Sequence, residues 1–310
     1  MNFRESEIGR VKNRVTKVIA KLFIFVLLCG FAYIILYPFI FKILSSFMSQ
    51  DDLYNALVNL VPMHWTLETY KYIVGSTDFL SSLVGTFISS LICALLTVFS
   101  VSLIGYGLAK YRFAGSRLLL AAVIVTMLIP IYTLRIPVYI SFRFFDLYGI
   151  ISAVTGKELN LLDTVWPNVL MAATGLSFRA GIFIILIRQF YLGIPNELTE
   201  AAYVDGAGPY RTFFNIILPI SRSMMVVIFS LSFAWQWTDT YYTGLLTPNL
   251  SRLSNLVAGL RALNGQEGNY YELVIRSNTA ALLAVLPLIL FYCILQRNII
   301  QGIERSGLVG

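Results

Sequence analysis

One histidine, His64, and three cysteines, Cys29, Cys93 and Cys293, are all that 310 residues offer a soft metal or an imidazole site. The cysteines lie in apolar runs, where a free thiol acts as a small packing residue, and no pair has zinc-site or disulfide-framework spacing. His64 stands beside Trp65 in a connecting stretch, as a solvated loop residue or as a contact for a docking protein. A Gly-x-x-x-x-Gly-Lys-Ser/Thr phosphate loop is also missing: Gly156-Lys157 is followed by Glu158 and lacks the first glycine. No nucleophile sits by a base, and no carboxylates pair at useful spacing. The sequence therefore assigns no catalytic residue, no metal ligand and no cofactor to this chain. Charge is scarce too, at 13% of residues against 57% hydrophobic, where soluble domains carry roughly 25% and 45–50%.

That balance, with a mean hydropathy of +0.75, predicts an all-α integral membrane protein whose partner along most of its length is the lipid bilayer. A helix needs about 20 apolar residues to cross the hydrocarbon. About six runs qualify, near Val18–Leu44, Leu80–Ala109, Leu118–Ile140, Thr164–Phe190, Ile220–Leu246 and Ser277–Gln296, the third interrupted by Pro130, Arg135 and Pro137. No repeat or linker divides them, so residues 1–310 are expected to form one helical membrane domain, with a 1–17 N-terminal segment, a 191–219 loop and a 297–310 tail. The first run is span-length and lacks a small-residue cleavage site, which reads as an anchor rather than a cleaved signal.

The net charge of +7 is an orientation signal. Fourteen of the 23 basic residues fall on the side that carries both termini, six of them (Arg4, Arg10, Lys12, Arg14, Lys17, Lys21) around the start of the first run. Six fall on the opposite side. Positive residues concentrate in cytoplasmic segments, so the chain is expected in the cell membrane, multi-pass, with both termini cytoplasmic and no role for nucleic acid.

Between the fourth and fifth runs lies a polar stretch, Glu197 to Pro219, with three carboxylates, two glycines and a proline within thirteen positions. Asn196 can cap a helix whose first turn carries Glu197 and Glu200, favoured at the positive end of the dipole. Gly206 is placed to end it in the left-handed conformation. Leu198, Ala201 and Ala202 make a small apolar face. A helix of two to three turns is marginal alone in water, so a partner is expected to hold it.

Glu200-Ala201-Ala202, Gly206 after three residues, and Ile216 with Leu218-Pro219 after nine more resemble the signature loop of permease subunits in bacterial ABC importers. Asp205 before Gly206 resembles the carbohydrate branch. Ile129-Pro130 with Ile136-Pro137-Val138-Tyr139, Arg188-Gln189-Phe190, and the ending Gln301-Gly302-Ile303 to Leu308-Val309-Gly310 resemble the maltose-system type that lacks a large periplasmic insertion. Trp237-Thr238-Asp239 departs from that type at Thr238, and Arg135 stands where an apolar residue is expected. The resemblance implies a coupling helix between spans four and five, using Glu200, Ala201, Ala202, Asp205, Gly206, Ile216, Leu218 and Pro219. It implies a second permease subunit in a heterodimer, two ATPase subunits that bind ATP and magnesium, and an extracytoplasmic solute-binding protein. The cargo it implies is a carbohydrate, an oligosaccharide and possibly an acidic one. An ion-gradient-driven transporter, or an ABC permease for a non-sugar solute, is the alternative.

Ionisable groups within spans are costly and need a partner or an aqueous cavity. Arg135 and Asp239 fall at similar depth near the outer mouth, either as an ion pair or as pathway residues. Arg179 falls near mid-membrane, facing a cavity or bonding carbonyls freed near Gly175 and Pro167. If it faces the cavity, its guanidinium fork suits a carboxylate. Trp235, Trp237, Tyr241 and Tyr242 cluster late in the fifth run: as interfacial rings, or as a stacking surface for sugar with Gln236 and Thr238 supplying hydrogen bonds.

Overall fold

The computed structural model describes residues 2–76, 78–262 and 270–307. In chain order the helices are α1 (Asn2–Ser45), α2 (Gln50–Tyr54), α3 (Glu68–Ser76), α4 (Phe79–Lys110), α5 (Ser116–Leu128), α6 (Arg135–Arg143), α7 (Ile150–Thr155), α8 (Trp166–Ala173) and α9 (Ala180–Leu192). They continue with α10 (Asn196–Val204), α11 (Pro209–Ile220), α12 (Arg222–Trp237), α13 (Tyr241–Leu246), α14 (Leu253–Ala262) and α15 (Tyr270–Gly307). No strand occurs among the described residues, only two isolated bridges. The all-α expectation holds. Three described stretches, Thr16–Ser45, Phe79–Lys110 and Glu272–Arg297, are long and apolar enough to cross a membrane unbroken, and up to five if each of two bent pairs counts as one span. The closing Leu308-Val309-Gly310 lies outside the described residues.

Several expected runs are broken, and local chemistry explains where. Pro130 forces Ile129 into extended backbone (φ −71°, ψ 122°), as a residue before proline must be. The chain then turns by 102° between Ser116–Leu128 and Ile131–Arg143. The fourth run splits into α8 and α9. Gly175, at φ +71°, ends α8 with bonds from Leu176 N–H to the Met171 carbonyl (2.8 Å) and from Gly175 N–H to that of Ala172 (3.4 Å), a Schellman closure. The stretch from Pro209 to Trp237 bends by 79° at Ser221. Pro219 lacks an N–H donor there, and a π-turn over Phe213–Ile217 precedes it.

The chain divides into two compact units, residues 1–76 with 263–282, and residues 77–262 with 283–310. In the first, the apolar side chains of α1 from Val18 to Ile43 face outward. Loop contacts organise the rest: Thr66 N–H donates to the Phe47 carbonyl at 2.9 Å, and the Ser46 and Tyr70 hydroxyls lie 2.7 Å apart. Asp52, 2% exposed, accepts the His64 amide at 2.8 Å and lies 2.9 Å from its Nδ1. His64 is thus a loop residue with a partner. Burial pushes the Asp52 carboxyl up, but the hydrogen bonds and charge of His64 outweigh it and hold the group below its ordinary 3.8.

In the second unit α4 is the central post, packed on α9, α12 and α8. Its buried Ser90, Ser100, Ser102 and Gly105 are the small residues that let helices approach closely in lipid. A Cβ on Gly105 would collide with the Ile187 side chain. Ser100 Oγ donates to the Ala172 carbonyl (2.7 Å), and Arg252 donates to that of Gly85. Val101, Tyr106, Phe183, Ile187, Tyr191 and Ile228 fill the core between α4, α9 and α12.

Candidate functional site

The polar stretch forms a discrete nine-residue helix, α10, about 13–14 Å long at 1.5 Å per residue. Its end is where the sequence puts it. Gly206 sits at φ +76°; Ala207 N–H reaches the Ala202 carbonyl (2.9 Å) and Gly206 N–H that of Tyr203 (3.0 Å). This is the same Schellman geometry that closes α8. Its start differs by one residue. Pro195 occupies the cap position, and Asn196 begins the helix.

Asn196 Oδ1 instead accepts a hydrogen bond from Lys110 Nζ at 2.9 Å. Lys110 closes α4, and its ammonium also donates to the Ile194 carbonyl at 2.7 Å. Tyr203, on the same helix as Asn196, brings its hydroxyl 2.9 Å from that of Tyr111, which lies 3.3 Å from that of Tyr106. Lys110 at the end of α4 and Tyr111 just after it thus clamp α10 at both ends. Nothing in the sequence marked Lys110, Tyr111 or Tyr203 for this, because the contacts join residues more than 80 positions apart.

The clamp decides which side of α10 is free. Thr199 and Ala202 turn inward and are buried. Glu197, Leu198, Glu200, Ala201, Val204 and Asp205 face outward, Val204 being 87% exposed. The small apolar face expected from Leu198, Ala201 and Ala202 is therefore divided between the two sides. Beyond Gly206, Ile216 and Leu218 are half-buried and Pro219 is exposed. The expected straight continuation from this segment into the following span is replaced by the bend at Ser221.

A cavity of about 1150 Å³ lies within the second unit, walled mainly by α5, α6, the α8–α9 break and Tyr242. Arg179 is the one charged residue among those lining it. It sits at φ +60° at the start of α9, with its guanidinium carbon 4.7 Å from the ring centres of both Phe178 and Trp235. Among the described residues it makes no hydrogen bond to the carbonyls near Gly175 or Pro167. Trp235 also stacks on Phe183 at 5.0 Å.

The other residues expected along the pathway are not brought to this cavity, apart from Tyr242, which is buried in its wall. Arg135 is exposed and absent from the lining. It forms no ion pair with Asp239 among the described residues. The Asp239 carboxylate folds over the first turn of α13, accepting the amides of Tyr241 and Tyr242 (3.2 Å each), the Thr243 amide (2.7 Å) and its hydroxyl (2.9 Å). A charge inside an apolar run is thus satisfied by backbone donors. Trp237 is 5% exposed and donates Nε1–H to the Ala284 carbonyl at 2.9 Å, as a core residue does. Gln236 is half-buried beside it in sequence.

Broken apolar helices around a cavity, with a polar helix clamped at the end of the central post, define a membrane transport subunit. Residues 101–305 match the family described as binding-protein-dependent transport system inner membrane component, and the chain belongs to that family. The polygalacturonan/rhamnogalacturonan transport system permease protein YtcP of Bacillus subtilis is 27% identical, covering 97% of this chain and all of that protein. The arabinooligosaccharides transport system permease protein AraQ of Halalkalibacterium halodurans is 26% identical over 90% of this chain and 93% of that protein. The sn-glycerol-3-phosphate transport system permease protein UgpE of Brucella abortus is also 26% identical, over 88% and 92%. The fold is similar to that of a bacterial ABC transporter involved in the import of the acidic polysaccharide alginate, with a TM-score of 0.72 at 21% identity, covering 92% of this chain and 97% of that one.

Proposed function

We propose that this chain is one of two permease subunits of an ATP-driven importer for oligosaccharides, working with a related second permease, two ATPase subunits and an extracytoplasmic binding protein. The observation that carries the proposal is α10: a short helix clamped to the central post by Lys110 and Tyr111, with Glu200, Ala201 and Val204 left outward for a partner. Too short to persist alone, it is held on one side by its own chain and offered on the other. ATP and magnesium bind in the partner subunits, whose closure moves α10 and, through Lys110, the end of α4. Glu200, Ala201, Asp205 and Gly206 meet the ATPase, while Ile216, Leu218 and Pro219 carry the movement toward the bend at Ser221. Residues 1–310 act as one permease domain, with the basic N-terminal segment, the 191–219 loop and the tail on the cytoplasmic side. Relatives named for arabinooligosaccharides and for polygalacturonan and rhamnogalacturonan support a carbohydrate cargo. Gradient-driven transport would want a free carboxylate within the membrane, and that of Asp239 is engaged by backbone amides.

The test is purification of the tagged chain from membranes that express the whole transporter. An ATPase subunit is expected to co-purify, with hydrolysis stimulated by sugar-loaded binding protein. Uptake by the chain alone in vesicles, driven by a proton or sodium gradient without ATP, would overturn the proposal.

A further inference from the structure

We infer that Arg179 is a carboxylate-recognition site in the transport cavity, so that the importer selects oligosaccharides bearing acidic sugars. This rests on the carbohydrate reading above and narrows it. Three independent features meet at this residue. First, Arg179 alone is charged among the cavity's lining residues, the others being apolar or neutral, such as Thr126, Ser141, Ser177 and Tyr242. A charged side chain set in an apolar wall is kept where a partner or pathway uses it; the Arg179 side chain is exposed to the cavity, and no ion pair or hydrogen bond to its guanidinium exists among the described residues. Second, its backbone is left-handed at φ +60°, an unfavourable state for a side chain with a Cβ and one that concentrates at ligand sites. Third, Phe178 and Trp235 hold the guanidinium from their rings at 4.7 Å. Contact with ring faces fixes its position and consumes none of its five N–H donors.

A fixed planar fork with free donors fits a carboxylate in bidentate fashion. The break between α8 and α9 adds the amino end of α9 beside it, an arrangement that favours anions in discontinuous membrane helices. This also gives Trp235 a different task from stacking on sugar: with Phe183 on it at 5.0 Å and the guanidinium over its ring, it is a positioning residue for Arg179.

The experiment compares uptake of a uronate oligosaccharide with that of its fully methyl-esterified form in cells expressing the complete transporter, with wild type, Arg179→Gln, Arg179→Lys and Trp235→Leu. Co-purification with the ATPase subunit checks that each variant assembles. The acidic-to-neutral uptake ratio is expected to fall about tenfold in Arg179→Gln, the order for losing one charge-assisted hydrogen bond. Lysine, a point charge without the fork, should recover part of the ratio, and Trp235→Leu should lower it by a smaller factor. A ratio unchanged in assembled Arg179→Gln would overturn the inference and leave the carbohydrate reading standing. Wild type that accumulates neither sugar would overturn the carbohydrate reading, and the inference with it.

Discussion

Gly206→Ala isolates the conformational requirement at the end of α10 from steric effects within the chain. A Cβ built on Gly206 meets no atom within 4 Å, yet the residue holds φ +76°. The substitution therefore acts through backbone conformation alone, at about 1–2 kcal/mol for an L-residue in left-handed geometry. That energy falls on the closure in which Ala207 and Gly206 bond the Ala202 and Tyr203 carbonyls, so the wound-to-unwound ratio at this end of α10 falls about 5- to 30-fold. Asparagine tolerates the left-handed region and should restore most of the loss, whereas valine should be worse than alanine. Hydrogen exchange of residues 202–207 in the purified transporter reads the local closure, and ATP-dependent sugar uptake reads its consequence. Equal exchange in wild type, Gly206→Ala and Gly206→Asn would refute the assignment of the closure to this torsion. Normal exchange with lost uptake would instead place the glycine's role in contact with the partner.

Two further perturbations address one support in each compact unit. Lys110→Met removes donors to the Ile194 carbonyl and Asn196 Oδ1; discounted for partial exposure, the loss is about 1–2 kcal/mol, visible as faster exchange at residues 194–204 and a lower ATPase yield on co-purification. The Asp52 carboxyl, held below its ordinary 3.8, lends its loop stability that is complete above that pH and lost as pH falls through the lower folded value. The protection factor of the His64 amide should drop there, and in Asp52→Asn it should be low at neutral pH as well.

How far the sequence reached can be traced through individual residues. The polar helix, its glycine stop and its length were legible, because N-terminal carboxylates, a left-handed glycine and a motif of fixed spacing are local properties. The membrane class was legible for the same reason, since hydrocarbon demands long apolar runs wherever they fold. The breaks at Pro130 and Pro219 could be suspected from proline, but their angles of 102° and 79° could not. Misleading, too, was the grouping of ionisable residues by depth along straight spans. Once the third run turned and the fifth ended at Trp237, Arg135 and Asp239 no longer faced one another.

What the sequence determined alone is therefore whatever is settled within a few residues or by solvent: membrane residence, helicity, and a short polar helix that starts within one residue of the expected position and is stopped by Gly206. Tertiary structure decided which side of that helix is free, because the clamp from Lys110 and Tyr111 joins residues over 80 positions apart. It also decided that Asp239 is satisfied by backbone amides while Arg179 is held between two rings over a cavity. Both are charges in apolar runs, and the sequence cannot separate them, since their partners are chosen by how the broken helices pack.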